Sequence, residues 1–245
     1  SIDVWAMDVA RFGDYASPQY GTIKSSENYE RRFIMTFPNE TLPKGRKQKT
    51  TALYDRFVNQ GAVMGDAFGL ENVLWFANNK DDAYEEPTIK RSRSHNYVSK
   101  EVINVRENVG VIEVANFSKH EFKGPDARKF LDHIMAGKLP KPGRISLTPM
   151  LTYRGKLYGD LTVACFNEND FMVFGSGAAQ EMHRRWFESH LGKFNLVYKN
   201  RSDEFHGLGI AGPKSRDLLQ KIVREDVSNN NFKFRDSKKM FVAGV

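Results

Sequence analysis

The chain has 245 residues, 40% apolar and 27% charged, which is the composition of a globular protein long enough to bury a core. No apolar run approaches the roughly 20 residues a bilayer-spanning helix needs, the opening SIDVWAMDVARFGDY has no signal-peptide core, and a single cysteine, Cys165, excludes an internal disulfide framework and fits a reducing compartment. The formal net charge is +7, but the densest basic clusters, KGRKQK at 44–49 and KRSR at 90–93, lie in loop-like sequence without interleaved aromatics, so neither nucleic acid nor a membrane is the expected partner.

Residues 1–95 read as aromatic-rich and irregular. RRFIMTF at 31–37 alternates like a strand and stops at Pro38. TTALYDRFVNQG reads as a short helix capped by Thr50 or Thr51 and closed by Gly61. VLWFA at 73–77 is a short apolar strand, and DDAYEEP at 81–87 an acidic loop. Ser94 opens a helix through HNYVSKEVINVREN, closed by Gly110. The change of character places a boundary near residue 95, between a strand-rich segment at 1–95 and a second part at 96–245.

The second part contains an internal repeat. FKGPDARKFLDHI at 122–134 and IAGPKSRDLLQKI at 210–222 each read as a strand, a Gly-Pro corner and an amphipathic helix, with Pro125 and Pro213 in the first helical turn. The expected fold class is therefore α+β, built from duplicated α/β modules on a mixed sheet. Between the repeats, RISLTPMLTYRGKLYGDLTVACF at 144–166 reads as a hairpin turning at Arg154-Gly155. In its second strand Asp160, Thr162 and Ala164 share one face, and Leu161, Val163 and Cys165 the other. Aspartate is disfavoured in a strand and needs a partner or a task there. From spacing alone a structural and a functional role stay open.

DFMVF then runs into GSGAAQ at 175–180 and a helix-like segment. A dinucleotide fingerprint needs a third glycine and a ribose-binding acid after the next strand. Gln180 occupies the glycine position, and FNLVYKN ends in Lys199 and Asn200, so that reading fails. A plain turn and a ligand-binding corner remain. None of the six histidines has metal-ligand spacing with a second His or Cys, so no metal is expected and His183 reads as a core or surface residue. Cys165 reads as an inert buried thiol.

Taken in order, VGVIEVANFSKHEFKGPDARKFLDHI, PMLTYRGKLYGDLTVA, GSGAAQEMHRRWFE, LGIAGPKSRDLLQKI and EDVSNNNFKF resemble the dimethylglycine and sarcosine dehydrogenases, and the folate-binding domain these share with the glycine-cleavage T-protein. RRFIMTFPNETLPKGRKQKTTALYDRF and GLENVLWFA resemble the segment that joins the flavin domain to the folate domain in those enzymes. The family's FAD domain and its C-terminal folate-contacting stretch have no counterpart here. The resemblance therefore implies an interior piece of a longer enzyme: 1–95 the central segment that packs on a flavin domain, 96–245 the first part of an aminomethyltransferase-like folate domain. Such a piece alone is expected to bind tetrahydrofolate weakly or not at all.

The resemblance implies that FAD in the parent enzyme oxidises an N-methyl amine and that the one-carbon unit passes to tetrahydrofolate. It places the catalytic carboxylate at Asp160 and folate contacts at Leu147, Met150, Thr162, Gly175, Ser176 and Gly177. The T-protein has a tyrosine where Leu147 stands, so one folate contact differs. The implied partners are tetrahydrofolate, an N-methylated amine and the flavin domain of the same polypeptide. The implied location is the cytoplasm of a bacterium or the mitochondrial matrix of a eukaryote. A stand-alone folate-binding module, or a demethylase without flavin, is the alternative.

Overall fold

The computed structural model describes residues 5–38 and 40–245. Its regular elements are α1 (Pro18–Glu30), α2 (Tyr54–Asn59), β1 (Ala62–Ala67), β2 (Leu70–Phe76), α3 (Ser94–Glu107), β3 (Gly110–Glu113), β4 (Ser118–Lys123) and α4 (Ala127–Ile134). They continue with β5 (Arg144–Leu151), β6 (Leu157–Asn167), β7 (Asp170–Gly175), α5 (Gln180–His190), β8 (Val197–Asn200), β9 (Leu208–Ala211) and α6 (Ser215–Gln220). Contacts divide the chain into two compact units, one of Phe12–Ala115 with Leu208–Pro213, the other of Ser1–Arg11, Asn116–Gly207 and Lys214–Val245.

In the first of these units, Ser17 caps α1 by accepting from the Tyr20 N–H at 3.2 Å, and Pro18 takes the first helical position. This helix lies in sequence read as irregular, because its residues are polar all round and carry no apolar period. RRFIMTF, expected as a strand, forms a turn and an unpaired stretch with Phe33 and Met35 exposed. Alternation gives a strand only where a neighbour supplies hydrogen bonds. The α2 helix starts later than expected. Leu53, not Thr50 or Thr51, is its N-cap, with no side-chain cap bond, while Gly61 follows its end at φ +89°. β1 and β2 form a hairpin through Phe68 and Gly69, both at positive φ as a tight two-residue turn requires. Trp75 and Val63 form a small core against Tyr97 and Val98 of α3. That packing groups α3 with the elements before it, so contacts divide the chain after Ala115, not near residue 95. The α3 helix ends at Glu107, and Gly110 opens β3, which pairs antiparallel with β9.

The other unit is built on a five-stranded sheet of order β5-β6-β7-β4-β8. The α+β class is as expected, but the sheet is not mixed: every ladder between these strands is antiparallel. β7 and β8, joined through α5, run parallel to each other, yet β4 lies between them and is antiparallel to both. One sheet face is sealed by α4, through Phe130, Leu131 and Ile134, and by α5, through Phe187. Phe122, Leu161, Val163, Phe171 and Val173 meet them from the strands. Each such fully buried side chain contributes about 1.5–3 kcal/mol.

Both repeat copies fold as strand, glycine turn and helix. Gly124 and Gly212 sit at φ +140° and +117°. The prolines stand one residue earlier than expected, just before the N-caps Asp126 and Lys214 and outside the first helical turn. The glycine turn occupies the extra space.

Candidate functional site

Alternation in β6 sends Leu161, Val163 and Cys165 into the core and leaves Asp160 exposed and Thr162 half-buried on the other face. The hairpin turn expected at Arg154-Gly155 forms, with Gly155 at φ +68°. Its register pairs Leu147 with Thr162 and Pro149 with Asp160, and the next ladder pairs Thr162 with Phe174. Directly paired residues share a face. The face away from the core therefore carries Leu147, Pro149, Asp160, Thr162 and Phe174 together. Among the described residues the Asp160 carboxylate makes no ion pair or hydrogen bond.

The β6–β7 ladder ends at Thr162↔Phe174, and Asp160 and Ser176, both exposed, each lie two residues beyond that last pair. The glycines flanking Ser176 are fixed by internal packing. A Cβ on Gly175 would lie 2.7 Å from Leu161 Cδ2, and one on Gly177 would lie 2.0 Å from the Asn116 carbonyl oxygen. A short 3-10 turn, Gly177–Ala179, then leads into α5, and the Trp5 indole donates to the Ala178 carbonyl at 3.0 Å. The Gly-Ser-Gly corner thus presents one small polar residue, Ser176, at the end of the strand that neighbours the one carrying Asp160.

Met150 does not join this group. It pairs with Gly159, points to the opposite side of the sheet and is fully buried in the core. Its expected folate contact is corrected accordingly: its position in the strand is out of phase with Leu147 and Asp160.

Sequence reading passed over Lys119. It pairs with Phe174, which extends the row Leu147–Thr162–Phe174 onto β4. Its ammonium donates to the Phe117 carbonyl at 2.7 Å and the Ser202 carbonyl at 3.3 Å. Burial pushes its pKa below the usual lysine value, against the attraction of Asp203. The alternation of SKHEFK was the available signal. Two positions along β4, Glu121 accepts from Lys123 at 2.6 Å and Arg201 at 3.2 Å.

On the core side His120 and His183 are both buried, with ring centroids 6.4 Å apart. His120 Nδ1 lies 2.9 Å from the Tyr198 hydroxyl, whereas its Nε2 lacks a partner and the His183 ring makes only a loose contact with the Tyr158 backbone. Burial is the main cause that lowers both pKa values, His120 to about 3. Both rings are therefore neutral packing groups. Cys165 accepts from Arg128 Nη2 at 3.3 Å and donates to the Asn167 carbonyl at 3.2 Å. Burial pushes its thiol up, so it stays protonated. Among the described residues no group of three or more His, Cys, Asp or Glu side chains could hold a metal ion, and no helix is long and apolar enough to cross a membrane.

Residues 53–245 match the family model of the GCVT N-terminal domain, and residues 1–51 that of the FAD dependent oxidoreductase central domain. Mitochondrial dimethylglycine dehydrogenase of Homo sapiens is 33% identical over all of this chain, which covers 28% of that protein. Mitochondrial sarcosine dehydrogenase of Mus musculus is 26% identical over 99% of the chain and 31% of its own length. The chain thus spans less than a third of these relatives. Among solved structures, the glycine cleavage system aminomethyltransferase T from Bartonella henselae superimposes with a TM-score of 0.56 at 20% identity, over 71% of this chain and 43% of that one. This likeness carries the fold.

Proposed function

Since the chain belongs to the GCVT N-terminal domain family, we propose that it is the folate-binding, one-carbon-transferring part of a flavin-dependent N-methyl-amine dehydrogenase of the dimethylglycine or sarcosine type. The observation that carries this reading is the exposed, partner-free carboxylate of Asp160 on a sheet face otherwise lined by Leu147, Pro149, Thr162 and Phe174. A carboxylate rimmed by apolar surface suits a flat heterocycle with N–H groups. Bound tetrahydrofolate supplies the accepting nitrogens, and FAD the oxidation of the amine to an iminium. Asp160 takes the proton that the attacking nitrogen loses and holds that nitrogen towards the one-carbon unit, a role worth about 10²–10⁴-fold. Thr162 and Ser176 offer hydroxyl groups beside it, and Leu147 and Phe174 offer apolar contact.

No residue of this chain is assigned to the flavin. The glycines of GSGAAQ are occupied by internal packing, so they leave no cradle for a pyrophosphate. A flavin domain of the same polypeptide is the proposed partner. The relatives named as mitochondrial support a mitochondrial location, the matrix in this reading, for a eukaryotic source; for a bacterial source the proposed location is the cytoplasm.

The test is Asp160→Asn in the full-length gene product. Amine oxidation should persist, while methylenetetrahydrofolate formation falls by about 10²-fold or more. A variant that forms methylenetetrahydrofolate at the wild-type rate would sink the assignment.

A further inference from the structure

The residue before Asp160 is Gly159, and the residue before Ser176 is Gly175. Both are buried, and one side chain fills the space that their Cβ atoms would take. A Cβ on Gly159 would lie 2.8 Å from His183 Nε2, and one on Gly175 would lie 3.0 Å from His183 Nδ1. The imidazole, reaching up from α5, therefore covers the core-side space over Gly159 of β6 and Gly175 of β7, behind the residues that follow them, Asp160 and Ser176. Leu161 closes the other side, 3.3 Å from the Gly159 position and 2.7 Å from the Gly175 position. Ser118 Oγ, buried without a partner, lies 3.0 Å from the Gly175 position.

A buried imidazole whose polar contact is limited to the Tyr158 backbone is costly, and an apolar side chain of similar volume would pack there at less cost. What the imidazole offers instead is a thin, rigid plate that fits over two glycines of neighbouring strands. We infer that His183 is a positioning residue, whose ring sets the separation of Asp160 from Ser176 on the opposite face of the sheet. Its kinetic consequence rests on the folate-transfer reading, and its structural consequence does not.

The decisive variant is His183→Leu, which keeps an apolar volume in the core and lacks the flat ring. In this chain its unfolding midpoint should stay close to the wild-type value. The amide resonances of Asp160 and Ser176 should move further than those of Val163 and Val173 in the same strands. In the full-length gene product, kcat for tetrahydrofolate-dependent transfer should fall by about tenfold or more while amine oxidation is retained. A purely structural role would move the midpoint and leave kcat alone.

A second measurement uses Gly159→Ala, whose methyl group presses on Nε2. It should shift the Ser176 amide in the wild-type background and leave it in place in the His183→Leu background. The inference is overturned if the Asp160 and Ser176 resonances stay put in His183→Leu, or if Gly159→Ala leaves Ser176 unmoved in the wild-type background. It is equally overturned if kcat of His183→Leu stays within about twofold of wild type. Should the wild-type gene product carry out no folate-dependent transfer, the folate reading fails and the resonances alone decide the role of His183.

Discussion

The ring of His120 stacks on that of Tyr198 at 6.0 Å and 17°, and its Nδ1 sits 2.9 Å from the Tyr198 hydroxyl. Burial, followed by the nearness of His183 and of the Arg184 guanidinium, pushes His120 down to about 3, and burial also lowers His183. Above the ordinary imidazole pKa of ~6.5, both rings are neutral in the folded and unfolded chain, and stability is at its full value. Below it, the unfolded chain binds protons that the core refuses. Stability then falls with falling pH, by up to about 1.4 kcal/mol per unit for His120, with His183 acting in the same direction. The loss should show between pH 6.5 and 5, above the range where carboxylates titrate. Urea midpoints across that interval test this, and His120→Phe should lose measurably less than wild type. A wild-type midpoint that stays flat from pH 7 to pH 5 contradicts it.

Gly124 and Gly212 are matched positions of the repeat, and each is held for the same reason. A Cβ on Gly124 would stand 2.7 Å from Leu196 Cα, and one on Gly212 would stand 2.5 Å from the Asn108 carbonyl oxygen. Both combine positive φ with backbone that cannot retreat. Gly124→Ala and Gly212→Ala should each cost about 2 kcal/mol or more. Thermal unfolding of the two variants is the check. A loss below about 0.5 kcal/mol at either site would mean that the turn relaxes.

The parts legible in the sequence were those with a local signal. The hairpin around Gly155, the paired Gly-Pro corners and the alternation that exposes Asp160 all follow from short-range pattern. The antiparallel sheet did not, because insertion of β4 between β7 and β8 is a long-range event. α1 escaped notice because a polar helix has no apolar period, although Ser17-Pro18 announced its start. RRFIMTF misled because alternation says nothing about whether a partner strand is present. Met150, three residues from Leu147 along β5, falls on the opposite face, a parity that a family resemblance does not carry. His183 could not be read as a wedge, since its neighbours Gly159 and Gly175 come from two different strands.

Glu71 is almost fully buried and accepts from Arg46 Nε at 2.9 Å and from the Lys47 N–H at 3.2 Å. A second guanidinium contact makes the pair bidentate, and Arg46 also donates to the Met64 carbonyl at 3.0 Å. The arrangement ties the Lys44–Lys49 loop to the β1–β2 hairpin. Glu71→Ala leaves a partly buried guanidinium without its counter-charge and should destabilise this unit by about 3 kcal/mol. Protease cleavage within 44–49 should accelerate in the variant. Unchanged cleavage would show that the loop is held by other contacts.

Leu147 and Met150 separate folate contact from core packing within one strand. Leu147 is 63% exposed on the Asp160 face, and Met150 is 0% exposed on the other. Leu147→Ala should change unfolding free energy by no more than about 0.5 kcal/mol. It removes an apolar contact worth about 1.5 kcal/mol when covered by a ligand, so the KM for tetrahydrofolate in the full-length gene product should rise about tenfold. Met150→Ala opens a hole in the core and should cost about 2–5 kcal/mol of stability. Its folded fraction should keep a tetrahydrofolate KM within about twofold of wild type, because the side chain never reaches the open face. Steady-state kinetics and urea unfolding of the two variants give all four values. If Met150→Ala raised KM and Leu147→Ala did not, the ligand would lie on the core side of β5, and the site built around Asp160 would be wrong.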